Sequence, residues 1–75
     1  MHYKTIVLEL LQAHPALYRW LCLSRTALRE LDRYSADLRA NHLELSRSLP
    51  PDAAMELAVA EIQERIAQEA ARVEA

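Results

Sequence analysis

The sequence predicts an all-α protein: a short N-terminal helix, a long central helix and a C-terminal helix, folded as an antiparallel helical hairpin or bundle and completed by a dimer partner. Three observations carry that expectation. The 75 residues contain no glycine and only three prolines, Pro15, Pro50 and Pro51, whereas a sheet protein needs many tight turns. Leu, Ala, Glu and Arg dominate the chain, and all four favour helix. Apolar residues also recur at alternating steps of three and four, the seam of a helix lying on another helix.

The prolines set the boundaries. Proline lacks a backbone N–H and pushes the residue before it out of the helical region. The chain therefore divides at Ala13-His14-Pro15 and at Leu49-Pro50-Pro51, giving helices over about 3–13, 15–48 and 52–73 in a single domain spanning 1–75. Pro15 suits the first turn of a new helix, where its missing donor would have no partner. Asp52 falls at the start of the last helix, where the helix dipole favours a carboxylate.

The first segment contains "IVLELL", apolar at every position but Glu9. Its β-branched residues suit a strand, but no other segment offers a strand to pair with, so helix is expected. It is too short for a secretory core, carries Glu9 and lacks a cleavage site, so no export leader is expected. No stretch approaches the roughly 20 apolar residues of a membrane span. The single cysteine, Cys22, rules out an internal disulfide and fits a reducing compartment, the cytoplasm.

Two rows run along the central helix, Leu17-Ser24-Leu31-Leu38-Leu45 and Leu21-Leu28-Ser35-His42-Leu49, with Trp20, Ala27 and Tyr34 widening one flank. Ser24, Ser35 and His42 are polar layers that set register at some cost in stability. At 1.5 Å per residue the helix would be about 50 Å long. Met55, Val59, Ile62, Ile66 and Val73 form the apolar row of the last helix, interrupted by Glu69. Residues 15–49 hold six arginines and four acids, a net of +2, and residues 50–75 hold two arginines and six acids, a net of −4. Opposite balances favour an antiparallel pairing, although each exposed ion pair contributes only about 0–1 kcal/mol.

Helix lengths then imply that the last helix covers the C-terminal two-thirds of the central one and the first helix covers the rest. That remainder, "ALYRWLCL", is itself apolar nearly all round. The first helix against one neighbour would hide only one side, which points to a homodimer joined through Tyr3, Ile6, Val7, Leu10, Leu11, Leu17, Trp20 and Leu21.

No catalytic constellation is expected. His2, His14 and His42 have no partners at metal-ligand spacing, so neither a metal nor a cofactor is expected. Without glycine there is no glycine-rich phosphate loop. Cys22, among Trp20, Leu21 and Leu23, reads as a buried, inert thiol. Arg25, Arg29 and Arg33 form an i, i+4 stripe that could meet nucleic-acid phosphates, but the net charge of −2 and the available acidic neighbours favour a solvated face. "MHYKTIVLELLQ" followed by Pro15 and Leu17, together with "RYSADLRANH" and "AMELAVAEIQERI", resembles short helical proteins of unknown function encoded on bacterial mobile elements. The resemblance implies a bacterial cytoplasmic setting and no particular activity. The function expected is that of a non-enzymatic protein–protein interaction protein. A small DNA-binding or transcription-linked regulator and an inhibitor of a host defence complex stand as alternatives.

Overall fold

Two of the four helix starts fall on a proline, where the local chemistry favours one. A computed structural model describes residues 2–74, and the elements over them are α1 (Tyr3–Gln12), α2 (Pro15–Leu23), α3 (Ala27–Leu45) and α4 (Pro51–Glu74). All are helical, and none is long and apolar enough to cross a membrane. Pro15 is the first residue of α2 and Pro51 the first of α4, positions where the absent N–H has no intrahelical acceptor. The last turn of α3 loosens through Arg47 N–H to Glu44 O (3.3 Å) and Ser48 N–H to Leu45 O (3.2 Å) before the proline pair.

The expected central helix over 15–48 is in fact two helices. Arg25 adopts φ 61°, the left-handed region that an L-residue with a Cβ enters at a cost of roughly 1–2 kcal/mol. Around it, Thr26 N–H bonds Leu21 O (3.0 Å) and Arg25 N–H approaches Cys22 O (3.2 Å). This pair of bonds is the Schellman closure of a helix end, which usually places glycine where Arg25 stands. Ser24 Oγ donates to Trp20 O at 2.8 Å, a carbonyl that also accepts the Ser24 backbone N–H at 2.9 Å. Proline and glycine were the break signals sought in the sequence, and this break uses neither.

The break shortens the molecule. A straight helix over 15–48 would reach about 50 Å, whereas the longest dimension is 39 Å, close to the length of α4 alone. With the chain bent at Arg25, α2 packs on α4 as well as α3, and α1 touches α2, α3 and α4. The heptad rows hold on either side of the bend and fail at it. Leu17, Leu21 and Leu38 are buried, as are Ser35 and His42, but Leu28 is 78% exposed and Ser24 is exposed at the end of α2 rather than forming a polar layer.

Helix α4 binds these neighbours together. Its buried row is Ala54, Ala58, Ile62, Ile66 and Ala70, a step of four residues throughout. Each such step turns about 40° around the helix, so the row winds across α4. The alanines allow close backbone approach. The central cluster joins Ile62 and Ile66 to Leu38 of α3, Leu17 and Leu21 of α2, and Val7 and Leu11 of α1. The premise of the expected dimer changes accordingly: Val7, Leu11, Leu17 and Leu21 are covered within one chain, and Tyr3, Ile6 and Leu10 pack part-buried against the same cluster.

Leu38, with no exposed surface, is expected to lose about 2–5 kcal/mol of stability as Leu38→Ala, while Leu43→Ala, 53% exposed on the same helix, loses no more than about 0.5 kcal/mol. Urea unfolding of both checks which face of α3 points inward. Arg25→Gly is expected to raise the urea midpoint by about 0.5–1 kcal/mol of added stability, because glycine relieves the left-handed backbone at some entropic cost in the unfolded chain. A fall in stability would mean that the Arg25 side chain contributes more than its backbone costs.

Candidate interaction site

The bend sends α2 across α4 with only part of its apolar surface turned inward. Leu17 and Leu21 face the core, but Trp20 is 52% exposed and Leu23 is 73% exposed. These two side chains are three residues apart and so share one flank of α2. Trp20, expected among the core and interface aromatics, instead forms the lip of a cavity of about 210 Å³. Leu17 and Leu21 supply apolar wall, Tyr34 closes the inner side, and Glu30, Arg33 and Glu69 bring charge to it. On its other side Trp20 meets a second depression shared with Glu69, Arg72 and Val73.

Tyr34 is the hinge of the electrostatics here. The Arg33 guanidinium carbon lies 4.9 Å from the centre of its ring and that of Arg65 lies 5.3 Å away, both within cation–π range. Each guanidinium also has a carboxylate: Arg33 donates from Nε (2.9 Å) and Nη2 to Glu30 Oε2, and Arg65 Nη1 lies 2.9 Å from Asp37 Oδ2. Bonding to Glu30 holds the Arg33 pKa above its ordinary value. Burial pushes the Tyr34 phenol above its ordinary 10.0; Arg33 opposes this, and the Glu69 and Glu30 carboxylates add to it. Among the described residues Glu69 is held only by Arg72, at 3.4 Å, with Arg72 78% exposed.

The arginine stripe does not form one face. Arg25 lies in the bend outside α3, Arg29 is exposed, and Arg33 is engaged with Glu30 and Tyr34. The cationic cluster that the fold does assemble is Arg33, Arg65 and Arg72 around Tyr34. Cys22 is exposed, correcting the expectation of a buried thiol: it lies about 100° around α2 from the buried Leu21, off the face that Leu17 and Leu21 turn inward. His42 is buried with Nδ1 2.9 Å from Tyr3 Oη, tying α1 to α3, while Nε2 is buried without a partner. Among the described residues no three His, Cys, Asp or Glu side chains converge as a metal site.

Glu30, Leu23, Arg65 and Glu69 escaped the sequence reading as site residues. Glu69 had left a signal, since it interrupts the apolar row of the last helix. Glu30 was legible only as an acidic neighbour of the arginine stripe, and Leu23 and Arg65 carried no signal, because their surroundings are set by how the helices cross. Neither protein-family models, curated proteins nor solved structures give a match to this chain.

The phenol of Tyr34 gives a pH signature. Its folded pKa is raised, so the unfolded chain ionises first as pH climbs past about 10. The associated stability is fully present below that pH and is lost as pH rises through the folded value. Tyr34→Phe is therefore expected to lose less stability than the parent chain between neutral and strongly alkaline pH. Parallel urea titrations compare the two slopes, and identical slopes would remove Tyr34 from the account.

Proposed function

We propose that this chain is a non-enzymatic interaction module that presents the Trp20–Leu23 flank of α2 to a protein partner, most simply a second copy of itself. In this reading α3 and α4 run antiparallel, with Tyr34 early in α3 set against Arg65 and Glu69 late in α4, and α1 and α2 lie over them as a bundle. The arrangement leaves one apolar flank uncovered beside a cavity.

The observation that carries the proposal is the joint exposure of Trp20 and Leu23, at 52% and 73%, one turn apart on a helix whose two other leucines, Leu17 and Leu21, are buried. A helix that already hides Leu17 and Leu21 gains nothing within the chain from an exposed tryptophan. Tryptophan is among the residues that most often anchor protein interfaces, because a large flat apolar surface is buried with little loss of conformational entropy. The interface expected from the sequence thus shifts: Val7, Leu11, Leu17 and Leu21 build the core, and Trp20 with Leu23 forms the surface offered outward.

Sedimentation velocity over a rising protein concentration tests self-association. Dimers are expected at micromolar concentration, and Leu23→Asp is expected to weaken them about tenfold or more. Circular dichroism of the same variant is expected to be unchanged, since Leu23 lies on the surface. A chain that stays monomeric into the millimolar range, or a dimer indifferent to both Leu23→Asp and Trp20→Ala, would end this reading.

A further inference from the structure

We infer that the cavity between α2, α3 and α4 binds an amphipathic cation, an alkylguanidinium or alkylammonium group whose apolar stem lies against Trp20 and whose charge meets Glu69 and Glu30. This deepens the interaction reading by naming the chemistry that a partner brings. The cavity itself belongs to one chain, so it does not depend on self-association.

Charge selects the sign of the ligand. Two carboxylates and one guanidinium line the cavity, which leaves a net charge of −1. Arg33 directs both of its donors at Oε2 of Glu30, leaving Oε1 able to accept from a ligand. Among the described residues Glu69 is bound only through a 3.4 Å contact to the exposed Arg72, a surface pair that a better-placed cation can displace. The neighbouring cleft lined by Arg33, Arg65 and Arg72 has no surplus for an anion, since each guanidinium already faces its own carboxylate, Glu30, Asp37 or Glu69.

Shape and surface select the rest. At about 210 Å³ the cavity lies below the roughly 300–1,000 Å³ of drug-sized sites and suits a single long side chain or its small-molecule equivalent. Leu17 and Leu21 offer apolar wall to an alkyl stem. The half-exposed Trp20 ring can cover that stem or face the charge, the strongest aromatic partner for a cation. The fold already uses this chemistry once, with Arg33 and Arg65 lying over Tyr34 beside Glu30 and Asp37.

Trp20 is the only tryptophan in the chain, so its emission reports on the cavity directly. The full chain is titrated with n-butylguanidinium and n-butylammonium, with n-butanol and butyrate as neutral and anionic counterparts. The cations are expected to change Trp20 emission saturably at millimolar concentration, butanol to bind at least about fivefold more weakly, and butyrate not to bind. Glu69→Gln is expected to weaken butylguanidinium about fivefold, and Arg72→Gln, which removes the competing cation, to strengthen it about twofold. Equal responses to cation and alcohol would overturn the inference. So would shifts of the same sign in the two variants, with helicity unchanged.

Sedimentation with and without the probe then separates the sources. Dissociation of dimers by butylguanidinium assigns the cation to a second copy of the chain. Binding with no change in association assigns it to a free small molecule or a different protein. Failure of the dimer leaves probe binding intact, and failure of probe binding leaves the Trp20–Leu23 interface to stand or fall by its own variants.

Discussion

The structure depends on one row of side chains, Ala54-Ala58-Ile62-Ile66-Ala70, along α4. A strict heptad seam faces one partner, because steps of three and four cancel each other's drift. Steps of four alone do not cancel, so the row turns by about 160° over its length. That rotation lets one helix pack against three others. Alanine at both ends of the row keeps neighbouring backbones close, and isoleucine in the middle fills the space where α1, α2 and α3 converge. A short chain builds a shared core this way without a disulfide, its single cysteine lying on the surface.

The second half of the design is the bend at Arg25. An unbroken helix would have kept its backbone hydrogen bonds and avoided a left-handed residue, at the expense of leaving the apolar N-terminal segments beyond the reach of α4. Bending costs about 1–2 kcal/mol at Arg25. It brings Leu17, Leu21, Val7 and Leu11 into the core, and burying each such side chain contributes roughly 1.5–3 kcal/mol. The balance favours the bend severalfold. "IVLELL", whose second side needed cover, is covered by its own chain.

The same bend makes the surface. Turning α2 onto α4 points Leu17 and Leu21 inward and leaves Trp20 and Leu23 outside, next to a cavity whose carboxylates come from α3 and α4. Apolar lip, aromatic ring and acidic wall are thus contributed by three elements, and none of them forms a motif in the linear sequence. The Arg33–Tyr34–Arg65 stack adjoining the cavity braces α3 against α4 and holds the Glu30 side of the cavity in place.

From the sequence alone, composition and proline placement determined that the chain is helical and where two of its three boundaries fall, because proline acts locally through its own ring and its missing N–H. Periodicity likewise marked Leu17, Leu21, Leu38, Ile62 and Ile66 as inward-facing, since each lies within a helix and keeps its helical phase. The tertiary structure decided the rest. The break at Ser24-Arg25-Thr26 has no local residue that demands it; the burial gained tens of residues away outweighs its local cost. Everything set by that break followed the same logic: the exposure of Leu28, Trp20 and Leu23, the dispersal of the Arg25, Arg29 and Arg33 stripe, and the meeting of Glu30 with Glu69. These are properties of how helices lie on one another, and a one-dimensional pattern carries only the phase of each helix, not the angle at which the next one crosses it.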